Sequence, residues 1–97
     1  MNDIVFTWDD SKNITNRGKH GVSFEEAQAV FFDEQAIEFD DPDHSETEER
    51  FIIIGLSQKL RILVVCHCFR NNESEIRIIS ARKATKKEQK FYFKARG

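Results

Sequence analysis

The sequence predicts an α+β domain: one antiparallel sheet, two N-terminal helices packed on one of its faces, and a further helix at the C-terminus. Three observations carry that expectation. Ser23 to Glu26 and Thr85 to Glu88 both have the form Ser/Thr-x-x-Glu, in which hydroxyl and carboxylate satisfy each other's backbone N–H at a helix start. Residues 50–56, 61–69 and 75–82 are strand-sized runs rich in Ile, Val or Phe, separated by turn residues. One proline and four glycines in 97 residues suit a single compact domain, 1–97, rather than a disordered or fibrous chain.

Taken in order, residues 4–8 form a short apolar stretch suited to an edge strand. Asp9 or Asp10 can cap a helix running to about Lys19, and Gly21 suits the left-handed position just past its end. Ser23 opens a second helix, where Phe24, Ala27, Gln28 and Phe31 recur at helical spacing and Val30 widens the stripe. Residues 36–39 read as a short strand and 40–48 as a polar loop. The three strong strands follow, joined by loops at 57–59 and 70–74, and Thr85 caps the last helix.

Charge is distributed unevenly behind a net −2. Residues 21–49 hold eleven Asp or Glu and no Lys or Arg, whereas residues 50–97 hold twelve Lys or Arg against three Glu. Such asymmetry points to a polyanionic partner, or to two halves that complement each other in the fold. The N-terminus has neither a basic nor an apolar leader region, and no apolar run is long enough to span a membrane. The two cysteines stand two apart in Cys66-His67-Cys68, a poor disulfide spacing, so a reduced, cytoplasmic chain is expected.

Alternation along residues 61–69 places Ile62, Val64, Cys66 and Cys68 on one face and Arg61, Leu63, Val65, His67 and Phe69 on the other. The first face, wholly apolar, is expected under the amphipathic helices. A three-residue loop then pairs Leu56 with Leu60, Ile54 with Ile62 and Glu49 with His67, and the next hairpin pairs His67 with Arg77. The outcome is a row of Glu49, His67 and Arg77 on the face away from the helices, with neighbours about 5 Å apart. A carboxylate orienting an imidazole beside a guanidinium suits cleavage of RNA by its own 2′-hydroxyl, although the same row also forms as an ion cluster on a solvated face.

Other candidates are weaker. Cys66, His67 and Cys68 cannot converge on one tetrahedral metal, because the histidine points away from the cysteines. The loop Asp41, Pro42, Asp43, His44, Ser45, Glu46 offers oxygen and imidazole ligands but lacks the pattern of a calcium loop. His20 suits a helix C-terminus. Lys83, Lys86, Lys87, Lys90, Lys94 and Arg96, interrupted by Phe91, Tyr92 and Phe93, make a basic helix that suits either RNA contact or plain solvation. No metal and no cofactor is expected.

The stretches FTWDDSKNITNRGKHGVSFEEA, EERFIIIG and IRIISARKATKKEQKFY, in that order, resemble the BrnT family of toxins from type II toxin–antitoxin systems, over nearly the whole chain from Phe6 to Tyr92. The resemblance implies a RelE-like fold and a metal-independent endoribonuclease that arrests translation by cutting RNA. It also implies a BrnA-like antitoxin with a ribbon-helix-helix region, operator DNA being reached only through that antitoxin. By motif match it draws attention to Glu49 and Arg50, to Arg77, Ser80 and Arg82, and to Tyr92.

Together these readings assign His67 as general acid or base oriented by Glu49. Arg77, Arg82 and Arg61 hold the phosphate, Arg50, Ser80, Lys83, Lys86 and Lys87 contact RNA, and Tyr92 positions a base. The rival expectation is a non-catalytic module that holds nucleic acid or an acidic partner protein.

Overall fold

The structure, a computed structural model, describes residues 3–41 and 48–96. Five strands, β1 (Val5–Thr7), β2 (Ile37–Asp40), β3 (Phe51–Leu56), β4 (Ile62–Arg70) and β5 (Glu75–Lys83), form one sheet in the order β1-β5-β4-β3-β2. Three helices accompany them: α1 (Asp10–His20), α2 (Phe24–Gln28), which tightens into a 3₁₀ turn at Ala29–Phe32, and α3 (Lys86–Arg96). The class is α+β, as expected. The sheet is mixed rather than antiparallel, however, because β1 runs parallel to β5 while the other three pairings are antiparallel. A three-residue strand carries no sequence signal for pairing direction. Its direction follows from the chain path, which enters at the β5 edge and crosses one face through α1 and α2 to reach β2 at the other edge.

The helix boundaries follow local chemistry. Asp9 accepts from the N–H groups of Ser11 and Lys12, and Gly21, at φ 69°, closes α1 by donating to the Arg17 carbonyl at 2.9 Å. At α3 the reciprocal cap forms in full: the Glu88 N–H donates to the Thr85 hydroxyl at 3.1 Å and the Thr85 N–H to the Glu88 carboxylate at 2.9 Å. At α2 only half of it forms. The Glu26 N–H donates to the Ser23 hydroxyl, but the Glu26 side chain is drawn inward to other partners.

Both faces of the sheet are covered. Val22, Phe24, Ala27 and Val30 pack on Ile53, Leu63, Val65, Ile78 and Ala81, with Phe6, Trp8 and Phe31 at the margin. On the opposite face Ala84 and Tyr92 pack on Ile54, Ile62 and Val64. The alternation along β4 is as read, but the faces are exchanged: Leu63 and Val65, not Ile62 and Val64, lie beneath α1 and α2. A central strand that is apolar on both sides gives its pattern no direction. Gly55 makes close packing possible beneath the 3₁₀ turn, since a Cβ there would meet Val30 Cγ1 at 2.8 Å and the Ala36 Cβ at 3.0 Å. Among the described residues no helix is long and apolar enough to cross a membrane.

Candidate functional site

The predicted row of Glu49, His67 and Arg77 does not form. The β3–β4 turn is longer than three residues: Leu56 pairs with Ile62 and Ile54 with Val64, so Phe51, not Glu49, stands opposite His67. Leu60, at φ 62°, makes this turn possible by taking a left-handed conformation unusual for a leucine. On the other side an irregularity between Cys66 and His67 leaves Ile79 unpaired, so His67 faces Ile78, and Arg77 faces Cys68. Three left-handed residues, Asn71, Asn72 and Glu73, turn the β4–β5 loop. Glu49 lies before β3, exposed, beside Phe51, Phe69 and Arg70.

His67 is wholly buried beneath α2 and its 3₁₀ extension rather than facing solvent. The rings of Phe31, Phe51 and Phe69 surround it at centroid distances of 4.7, 6.1 and 5.4 Å. Its Nδ1 is 3.2 Å from the Val65 carbonyl and its Nε2 3.0 Å from the Glu38 carboxylate. Two acceptors favour an imidazolium, while zero exposure favours the neutral ring. Burial prevails, because Glu38 is 42% exposed and its charge is screened by water, so the imidazole pKa lies below its ordinary value. This is a structural histidine. A folded-state pKa below the unfolded one means the unfolded chain takes up the proton first. Stability is therefore expected to fall as pH drops through 6.5 and below, and His67→Phe should flatten that acid limb in denaturation midpoints measured from pH 7 to 5.

Two further residues assigned to RNA are engaged elsewhere. Arg61 donates through Nε and Nη2 to Glu26, which is 1% exposed and also accepts from the Ser57 hydroxyl at 2.7 Å. Arg61 also reaches the Gly21 carbonyl at 3.0 Å, so it clamps the β3–β4 turn to α2 on the helix side of the sheet. Tyr92 is 1% exposed, and its hydroxyl donates to Asp33 Oδ2 at 2.6 Å. It anchors α3 and is not available to stack on a base.

The remaining residues do converge. Arg50, Ser80 and Arg82 line one groove of about 310 Å³, together with Asp41, Ile52, Val64, Cys66 and Ile79, on the face away from α1 and α2. Alternation puts Arg77 on that same face, since its neighbour Ile78 belongs to the opposite core. Arg82 is held by a two-pronged pair with Glu88, at 2.8 and 2.9 Å, that pulls the Glu88 carboxyl down to about 2. Three of the five guanidinium N–H groups serve Glu88 and, at 3.4 Å, the Lys83 carbonyl, which leaves donors directed elsewhere. Arg50 lies 3.6 Å from Glu48. The Cys66 thiol is pushed up to about 11 by burial and by the neighbouring Asp41 carboxylate, so it is no nucleophile at neutral pH. Lys83, Lys86 and Lys87 are exposed around the start of α3.

Cys66 and Cys68 point to one face, at 3.6 Å from Asp41 and 3.7 Å from Glu48, while His67 points to the other, as alternation predicts. Residues 42–46 of the polar loop and the side chain of Arg96 lie outside what the structure describes. Sequence reasoning missed Glu38, Asp41 and Glu88 as partners, and no local signal marks the first two, because strand pairing alone brings them to His67 and Cys66.

The chain matches the family model described as ribonuclease toxin, BrnT, of type II toxin–antitoxin system, over residues 8–88. It is similar in structure to the Brucella abortus ribonuclease toxin BrnT at a TM-score of 0.63 and 25% identity, covering 89% of this chain and 100% of that one. No curated protein sequence matches it.

Proposed function

The chain belongs to the BrnT family, the ribonuclease toxins of type II toxin–antitoxin systems, and we propose that it cuts RNA in the groove lined by Arg50, Ser80 and Arg82. A family of this kind implies an RNA substrate and an antitoxin partner. The observation that supports the groove is that two guanidinium side chains and a hydroxyl side chain, Arg50, Arg82 and Ser80, line one concave face.

The chemistry such a groove suits is attack by a ribose 2′-hydroxyl on its own 3′-phosphate. The 2′-hydroxyl gives its proton to solvent as its oxygen bonds to phosphorus, the bond to the 5′-oxygen of the next nucleotide breaks, and that oxygen takes a proton from solvent. The products are a 2′,3′-cyclic phosphate and a 5′-hydroxyl end. Charge builds on the non-bridging oxygens during this step. Arg50 and Arg82 meet it with fixed cations and Ser80 with a hydroxyl, so no metal ion is required to stabilise it. Glu88 holds the Arg82 fork in place before substrate arrives. Lys83, Lys86 and Lys87 hold the flanking backbone. The antitoxin is BrnA-like with a ribbon-helix-helix region, it carries the pair to operator DNA, and the toxin acts in the cytoplasm.

Incubation with a defined RNA in EDTA tests this reading. The expected outcome is undiminished cleavage with 2′,3′-cyclic phosphate ends. Activity abolished by chelation and restored by a divalent ion, or products ending in a 3′-hydroxyl, would overturn it.

A further inference from the structure

A second groove opens on the other side of β5. It has a volume of about 270 Å³ and is lined by Ser11, Lys12, Thr15, Asn16, Lys19 and His20 of α1 together with Ile79 and Ser80. Ile79 and Ser80 line the catalytic groove as well, so the two meet at the strand irregularity. They can meet because β1 pairs only with residues 75–77, which leaves the outer edge of β5 without a partner strand beyond Arg77.

Asn16 fixes the geometry of this junction. Its amide donates to the Ala81 carbonyl at 2.8 Å and accepts from the Ala81 N–H at 3.2 Å, as a neighbouring strand would. A further bond to the Val22 carbonyl at 2.8 Å ties the same side chain to the end of α1. The face of α1 next to Asn16 is thereby held against Ser80. Ser11, Thr15 and Lys19 recur every fourth residue and share one stripe. Lys12 and Lys19 are exposed, and among the described residues no carboxylate forms a salt bridge with Lys12, Lys19 or His20; the Asp9 carboxylate, engaged by Ser11 and the Lys12 N–H, feels the Lys12 charge only as its smallest influence.

From this arrangement we infer that the RNA strand continues past the catalytic groove, around the edge of β5, into a phosphate-binding subsite made by Lys12, Lys19 and the hydroxyl of Thr15. The inference rests on the groove proposed above. The chemistry favours a sugar–phosphate backbone over a protein partner. The lining is cationic and hydroxyl-bearing, with Ile79 its one large apolar side chain, and it extends a surface already suited to phosphate. The subsite adds affinity for longer strands and takes no part in bond breaking.

The test is a Lys12→Gln/Lys19→Gln double variant. Both lysines are exposed, so thermal unfolding should match the parent. Binding of a non-cleavable 2′-O-methyl oligonucleotide is followed by anisotropy from about 50 to 200 mM salt. Affinity at low salt should drop about tenfold, and the salt slope should fall by about 1.4, at about 0.7 per phosphate contact on a single strand. Cleavage of a dinucleotide, too short to reach α1, should keep its kcat within about twofold. Unchanged oligonucleotide affinity and slope would overturn the subsite. So would a loss of antitoxin binding with RNA binding intact, which assigns this face of α1 to the protein partner. If instead Arg82→Ala leaves cleavage unaltered while the lysine pair still weakens oligonucleotide binding, the subsite stands and the catalytic reading of the other groove falls.

Discussion

Arg61→Ala is expected to destabilise the fold by about 3–5 kcal/mol, the range found when one partner of a buried charge pair is removed. The loss is large because of what remains. Glu26 keeps a single hydroxyl partner, Ser57, in a position 1% exposed to solvent. Against a total stability of about 5–15 kcal/mol, such a change removes at least about a fifth of the margin. The pH dependence gives the cause. In the parent, burial raises the Glu26 pKa, but the bonds from Arg61 and Ser57 outweigh it and hold the group below its ordinary value. A depressed carboxyl contributes stability above its unfolded pKa, 4.5, and loses it as pH falls through the folded value. Without Arg61, burial is opposed only by the Ser57 bond and the Lys59 charge, so the folded pKa moves upward and the stability the carboxylate contributes above pH 4.5 is lost. Denaturation midpoints of the two proteins should therefore lie far apart at pH 7 and converge near pH 4. A constant gap across that range would show that lost packing, not the stranded carboxylate, is responsible.

Arg82→Ala is expected to lower kcat for RNA cleavage by about 10²- to 10³-fold, the loss seen when one donor to a developing oxyanion is removed. Stability should change far less, since the Arg82–Glu88 pair is partly solvated and such pairs contribute little. Arg82→Lys keeps the charge but cannot offer two parallel N–H groups to Glu88 while reaching a phosphate, so it should recover only a small part of the rate. Single-turnover measurements at saturating RNA separate this from weakened binding. Parent-like rates in Arg82→Ala would remove the groove from the mechanism.

Much of the secondary structure was legible because its signals are local. Asp9, Gly21, Thr85 and Glu88 each act within a few residues, and each does in the structure what its spacing predicts. The site was legible in composition but not in geometry. Arg50, Ser80 and Arg82, to which a family resemblance drew attention without placing them, line one groove, and the row around His67 fails. Its register depended on a turn in which Leu60 adopts a conformation expected of Gly or Asn, and on an irregularity at Ile79 that no residue type announces. One readable sign went unused. Asparagine is a poor residue for a helix interior, and α1 carries two, Asn13 and Asn16, both buried and both bonded to backbone outside the helix.

The bonds from Asn16 to Ala81 have an outcome for the behaviour of the free protein. A strand margin with unsatisfied peptide groups invites a second molecule to zip onto it, the first step toward insoluble aggregates. Here a side-chain amide, chemically a short piece of backbone, occupies that margin where β1 stops short. The chain thus keeps an accessible, curved border for a ligand without offering its neighbours a template.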